Sequence, residues 1–400
     1  MLWDLFCRVI DNFGDMGVCW RLASDLGQRG HQVRLWVDDA RILQWMAPQV
    51  SWSADADLGQ QTGRGQAGVT VCHWADAEAL SDAHPLVPGD VVIETFGCHL
   101  PDAFVARMQR PSPPQWVNLE YLSAEDYVER SHGLPSPVWH GPGAGLRKRF
   151  YYPGFTPATG GLLREADLLA RRATWDDTVR QTWLRQHGIP WAPGDRVVYI
   201  FCYANAPVDA LLTHLAASPH PVTHVLLAHG HATELGHAWE KAQTHIAALP
   251  HREPQAAPGE PRAHLNALRL HSLPALPQAE FDHLLWSSDL NFVRGEDSAV
   301  RALWAGRPHV WQIYEQDDGV HADKLDAFMN RWMRDWPAQL SADVRALWRG
   351  WNGLGPLPAS LPAWQSPQTG WAQHTLDSHQ TLLKQTDLVT QLIHFVTQTG

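Results

Sequence analysis

Asp11-Asn12-Phe13-Gly14-Asp15-Met16-Gly17 decides how this chain is read. Before it runs Leu2-Trp3-Asp4-Leu5-Phe6-Cys7-Arg8-Val9-Ile10, an apolar stretch that predicts a buried strand. After it, Val18 to Leu26 spaces its apolar residues as a helix does, and Gln32-Val33-Arg34-Leu35-Trp36-Val37 predicts a second strand. In an open α/β sheet a turn between first strand and first helix lies at the carboxyl edge of the strands, where ligands bind. Gly14 and Gly17 let a ligand or a second backbone come close, and Asp11 and Asp15 put acid into the same place. The stretch lacks G-x-G-x-x-G, and two carboxylates would repel a pyrophosphate, so it is not a dinucleotide fingerprint. A single Asp here would read as a helix cap. Two on a seven-residue turn leave cap and functional site both open.

The rest of the composition narrows the class. Four hundred residues exceed one core and fit two domains, and 44% hydrophobic residues are ample for packing. A formal charge of −11, from 31 basic and 42 acidic residues, argues against nucleic acid as the main partner. An acidic cleft would suit a cationic substrate. The five cysteines (Cys7, Cys19, Cys72, Cys98, Cys202) are scattered, odd in number and without C-x-x-C, which fits a reducing compartment. No signal peptide and no apolar run of membrane-spanning length is visible, so the expected location is the cytoplasm with no membrane partner. Twenty-one tryptophans point to core rather than to a named ligand.

Outward from the first turn, the α/β alternation continues. Strands are predicted at Val69–Trp74, Asp90–Phe96 and Gln115–Tyr121, with a helix over Pro101–Arg110. Asp55-Ala56-Asp57 has the look of a metal-binding D-x-D but sits in a low-complexity stretch and reads as exposed loop. Between Ser131 and Gly161 the chain is rich in Gly and Pro. It carries the basic-aromatic cluster Arg147-Lys148-Arg149-Phe150-Tyr151-Tyr152, read as a loop packed on the domain edge or as a recognition element for a partner. Residues 162–187 look helical, and Pro190-Trp191-Ala192-Pro193-Gly194 marks a boundary. The domain plan is therefore 1–180, 190–370, and a C-terminal helix within 371–400 that packs back on the first domain.

The second domain restarts the rhythm, with strands at Arg196–Tyr203, Val222–Ala228 and Leu268–Leu273. His229-Gly230-His231 lacks a third ligand and reads as a pair of turn histidines. The informative region is Pro274–Tyr314. A helix over Gln278–Trp286 precedes the strand Asp289–Val293, the turn Arg294-Gly295-Glu296-Asp297-Ser298, a helix over Ala299–Ala305 and a last strand, Pro308–Ile313. A helix start with an adjacent arginine suits a diphosphate. Capping by Ser298 or Asp297 is the bland alternative.

Two α/β domains facing a cleft, with carboxylates on one lip and Arg294 on the other, resemble two-Rossmann glycosyltransferases of the GT-B type. The stretches Phe6 to Leu22 and Val293-Arg294-Gly295-Glu296-Asp297-Ser298, with Phe201-Cys202-Tyr203 between them, resemble the bacterial protein-arginine rhamnosyltransferases that modify elongation factor P, and the likeness spans the chain. The resemblance implies transfer of rhamnose from dTDP-β-L-rhamnose, with inversion, to a guanidine nitrogen of one arginine of elongation factor P, engaged through its N-terminal domain. The modified factor then relieves ribosomes stalled on polyproline. It implies that Asp11, Asp15 and Glu296 are catalytic, with Asp15 the general base. It also implies that Phe13, Gly14, Gly17, Tyr203, Gln278, Phe281, Arg294, Asp297 and Ser298 hold the nucleotide sugar, with no metal and no other cofactor. Ala275 departs from the family, whose members often carry an aromatic near the base, which implies either weaker base stacking or stacking supplied mainly by Phe281.

The residues suit that chemistry in their own right. A guanidinium stays charged and is a poor nucleophile in that form. Two carboxylates can clamp its planar fork, and one can take the proton as the C–N bond forms. Other readings stay open on the residues alone: a different nucleotide-sugar transferase, a sugar-nucleotide epimerase, or a non-catalytic scaffold in which the aspartates are caps.

Overall fold

The computed structural model describes residues 1–9, 14–52, 63–64, 68–81, 84–217, 222–248, 267–316, 319–364 and 370–398. Asp11, Phe13 and Asp55-Ala56-Asp57 lie outside the described residues. The chain forms two compact units, Met1–Leu168 with Asp326–Arg331 and Thr381–Gly400, and Leu169–Leu325 with Trp332–Gln380.

The first unit holds strands β1 (Leu2–Cys7), β2 (Gln32–Val37), β3 (Ser51–Trp52), β4 (Gly63–Arg64), β5 (Val69–His73), β6 (Val91–Thr95), β7 (Gln115–Leu119), β8 (Pro135–Pro137) and β9 (Arg147–Tyr151). Its first helices are α1 (Gly14–Gln28), α2 (Leu43–Met46), α3 (Trp74–Glu78), α4 (Asp102–Met108) and α5 (Tyr127–Ser131). The sheet order is β3-β4-β5-β2-β1-β6-β7-β9-β8. The six strands from β5 to β9 are mutually parallel, and counted among themselves they run 3-2-1-4-5-6. This is the doubly wound order, whose direction reverses between β1 and β6.

Strand parity explains the two-sided core. Trp3, Leu5 and Cys7 enter one cluster with Met16, Cys19 and Leu22 of α1, whereas Phe6 enters the other with Trp36, Trp74 and Phe104. With both faces covered, the strands read as nearly unbroken apolar runs. Asp4 interrupts that run, and its carboxylate accepts from Arg34 Nε at 2.6 Å, Trp36 Nε1 at 2.8 Å and the Gly89 amide at 2.6 Å.

The basic-aromatic cluster is not a loop. Arg147–Tyr151 forms β9, parallel to β7, with β8 added antiparallel outside it. Tyr151 is buried while Arg147 is exposed, so a strand near the sheet edge needs few apolar residues, and the composition hides it.

The second unit contains α6 (Leu168–Ala173, its first residue counted with the first unit) and α7 (Asp177–Gln186). It continues with β10 (Arg196–Ile200), α8 (Val208–Ala216), β11 (Thr223–Leu227), α9 (His231–Ala248), β12 (Leu268–Ser272), α10 (Gln278–Ser287) and β13 (Leu290–Arg294). Then come α11 (Gly295–Ala305), β14 (His309–Gln312), α12 (Val320–Trp332, its Asp326–Arg331 counted with the first unit), α13 (Ala338–Trp351) and α14 (Trp371–Leu382, its last two residues counted with the first unit). Helix α15 (Leu388–Gln398) returns to the first unit. Trp175 and Trp183 draw α6 and α7 into the second unit, because Trp175 stacks on His283 at 4.4 Å and meets Trp286 edge-on. The sheet is β12-β11-β10-β13-β14, all parallel, and reverses between β10 and β13. Buried Asp282 of α10 and Arg301 of α11 pair at 2.6 and 2.7 Å and lock these helices together.

Helix α15 completes the first core with Leu388, Val389, Leu392 and Val396. Arg29, just past the end of α1, joins Asp25 and Asp387, each at 2.8 Å, and the Tyr151 hydroxyl lies 3.2 Å from the Leu388 carbonyl. Among the described residues no helix is long and apolar enough to cross a membrane.

Candidate active site

In the first unit, β1 ends at Cys7 and α1 opens with Gly14 and Asp15 beside the reversal point. Asp15 is 3% exposed and lies in the first helical turn, where backbone N–H groups favour a carboxylate. Gly17 is buried and Gly14 half-buried. One turn further on, Cys19 Sγ is 3.6 Å from Thr95 Oγ1, which itself donates to the Phe6 carbonyl at 2.6 Å. The Cys7 thiol is held well above its ordinary range, first by its hydrogen bond with Cys19, then by burial, and also by the Asp15 charge. Burial pushes the Cys98 thiol up to about 12. The Cys7 and Cys98 thiols are thus neutral and inert at ordinary pH.

In the second unit, β13 ends on Arg294, which is 8% exposed. Its guanidinium carbon stands 4.7 Å from the Phe201 ring and 4.4 Å from the Tyr203 ring. Both rings lie just past the end of β10, on the other side of the sheet's reversal point. Phe281 of α10 meets Phe201 edge-on at 6.4 Å, and Tyr314 meets Tyr203 edge-on at 5.7 Å. Phe281, Phe201, Arg294, Tyr203 and Tyr314 therefore form one continuous aromatic and cationic row. Burial pushes the Cys202 thiol up to about 12 against the opposing field of Arg294.

The capping alternative does not hold at this turn. The helix starts earlier than the sequence pattern implies, at Gly295 with φ of 67°, and Arg294 occupies the cap position without a side-chain cap bond. A guanidinium only donates, so it cannot cap a helix start. Glu296, Asp297 and Ser298 all fall in or beside the first turn, and the Ser298 hydroxyl donates back to the Arg294 carbonyl. Glu296 pairs with Lys324 of α12 at 2.9 Å, both largely buried. A positive group at the cap of a positive helix end is an arrangement that suits an anion.

Of the residues singled out from sequence, Tyr203, Phe281, Arg294 and Ser298 come together in the second unit. Gln278 opens α10 one turn before Phe281, and Ala275 lies exposed in the segment ahead of it. Glu296 accepts from Lys324 Nζ at 2.9 Å. Asp15, Gly14 and Gly17 share the start of α1. His229 and His231 are exposed, and His231 lies 3.3 Å from Glu234, as turn histidines do. Among the described residues no group of three His, Cys, Asp or Glu is placed to hold a metal ion. Sequence reasoning passed over Tyr314, Asn205, Gln312 and Lys324. The signal for Tyr314 was position, since it follows the end of β14, the strand beside β13.

Two doubly wound α/β sheets in series are the architecture of the GT-B class of glycosyltransferases. The family model for Elongation-Factor P (EF-P) rhamnosyltransferase EarP matches residues 3–397. The chain belongs to this family. It is 42% identical to a protein-arginine rhamnosyltransferase of Pseudomonas putida over 98% of both chains. It is 37% identical to one of Pseudomonas aeruginosa over 92% of this chain and 94% of that one. A chain of the structure solved to explain EarP-mediated arginine glycosylation of translation elongation factor EF-P superposes with a TM-score of 0.61 at 29% identity. That match covers 100% of this chain and 99% of the other.

Proposed function

We propose that this protein transfers rhamnose from dTDP-β-L-rhamnose to a guanidine nitrogen of one arginine of elongation factor P, with inversion at the anomeric carbon. The observation that carries the reading is the full-length likeness to proteins named protein-arginine rhamnosyltransferase. The second unit binds the donor: Tyr203 and Phe281 offer ring faces to the base, with Gln278, Asp297 and Ser298 nearby as polar partners. Arg294 and the start of α11 stabilise the diphosphate as it departs. That fixed positive charge does the work a divalent cation does in other transferases, so the reaction runs in the presence of a chelator.

In the first unit Asp15 takes the proton from the guanidinium as the C–N bond forms, and Asp11 orients the acceptor's planar fork. Gly14, Gly17 and Phe13 shape the same turn. Glu296, held by Lys324, adds a fixed carboxylate near the donor's helix start. Attack from the face opposite the diphosphate inverts the sugar centre. The acceptor is engaged through its N-terminal domain, and the modified factor returns to polyproline-stalled ribosomes in the cytoplasm.

The test is intact-mass spectrometry of elongation factor P after incubation with this protein and dTDP-rhamnose in EDTA. A gain of one deoxyhexose, absent with Asp15→Asn, supports the reading. Bound donor with no mass gain would point to another acceptor, and the absence of both binding and gain would overturn the transferase reading.

A further inference from the structure

Gln312 is the last residue of β14 and stands in register with Arg294 at the end of β13. Paired residues of parallel strands share a face, so both side chains emerge on the same side of the sheet. Gln312 is 2% exposed, and a buried amide is costly unless both of its ends are bonded. Here both are. Its Oε1 accepts the Tyr203 backbone N–H at 2.8 Å, and its Nε2 donates to Asn205 Oδ1 at 2.9 Å. Asn205 Nδ2 in turn donates to Glu315 Oε2 at 2.8 Å.

Strands β10 and β14 are not neighbours, because β13 lies between them. The Gln312 amide therefore reaches across the end of β13 and ties the segment after β10 to the segment after β14. Three hydrogen bonds close a ring from Tyr203 and Asn205 to Gln312 and Glu315. Tyr203 follows a strand that has already ended, so the sheet ladder no longer holds its backbone. Its amide bond to Gln312 supplies that hold, and the Tyr203 ring then lies over Arg294 and against Tyr314. Space-filling alone would be met by Leu or Met at this site.

We infer that Gln312 is a positioning residue for donor binding, acting through Tyr203 and the 203–205 segment. This rests on the proposed reading of the second unit as the nucleotide-sugar unit. The test is steady-state kinetics of the full chain with dTDP-rhamnose and elongation factor P, for Gln312→Met, Tyr203→Leu and the double variant. Loss of the amide bonds in Gln312→Met is expected to raise KM for dTDP-rhamnose about tenfold. It should leave kcat and the KM for the acceptor within about twofold of the parent. In the Tyr203→Leu background the same change should add little, because the group it positions is already gone.

An unchanged donor KM in Gln312→Met overturns the inference. So does a loss spread equally over kcat and both KM values, or a double variant that is fully additive. If Gln312→Met fails to fold, Asn205→Ala opens the same ring from its exposed side and should raise the donor KM about two- to threefold; no rise overturns the inference. Failure of the underlying reading looks different: the unaltered protein would then neither bind dTDP-rhamnose nor modify the factor.

Discussion

The two reversal points of this molecule are built from one backbone plan and filled with opposite chemistry. In the first unit the helix that opens there follows the first strand and buries a carboxylate, Asp15, above inert thiols. In the second unit the helix that opens there follows the fourth strand in chain order, and its cap position is a cation, Arg294, flanked by Phe201 and Tyr203. A helix start is positive in both cases. In the first unit the protein answers that charge with its own acid, and the helix end is satisfied from within. In the second an arginine stands at the cap position, ahead of two acids, Glu296 and Asp297, in the first turn. The lesson is that the fold supplies the position and the polarity, while the side chains placed there set the charge that a ligand would meet.

The largest effect should come from Asp15→Asn. Turnover is expected to fall by about 10²–10⁴-fold, as loss of a general base does, while calorimetric affinity for dTDP-rhamnose stays put. If donor affinity collapsed along with turnover, the contrast between a chemical and a binding helix start would break.

Next comes the seat of α11. Arg301→Met leaves Asp282 buried without its main partner, at a cost of about 3 kcal/mol or more. Thermal unfolding of the second unit should move to lower temperature by several degrees, with the first unit's transition unmoved.

Acidification sharpens the comparison further. Burial depresses His309 from its usual 6.5 to about 4, and burial with the neighbouring His224 does the same for His271; both lie in the second unit. Each folded value lies below the unfolded one, so the unfolded chain binds more protons between pH 6.5 and 4, and stability falls as pH drops through that window. His309→Gln should flatten part of this slope in melts run between pH 7 and 4.5, and an unaltered slope would refute the assignment. The smallest effect belongs to Arg294→Lys. It keeps the charge but loses the planar face over Phe201 and Tyr203, and should weaken donor binding about tenfold with kcat little changed.

Much of this architecture is written in local pattern. The strand-turn-helix-strand rhythm from Leu2 to Val37 and again from Leu290 to Gln312 gives both reversal points, because buried parallel strands leave long apolar runs. Asp15 and Arg294 were legible for the same reason, since each sits where an apolar run gives way to helical spacing. The start of α11 was misplaced because Gly295 reads as turn, although its positive φ lets the chain enter the helix at once. Strand β9 was hidden by its basic residues, which a strand near the sheet edge tolerates. The bond between Gln312 and Tyr203 joins positions 109 residues apart, and no spacing rule carries information over such a distance.

The return of α15 to the first unit bears on how the chain is made. Leu388, Val389, Leu392 and Val396 belong to the same core as Trp3 and Leu5. During synthesis the entire second unit leaves the ribosome before that core can close. The nascent first unit therefore waits with an apolar face uncovered. At about 5–20 residues per second, that wait lasts on the order of ten seconds or more. Chaperone engagement of the nascent chain should accordingly centre on the first unit, and end when the helix beginning at Leu388 emerges.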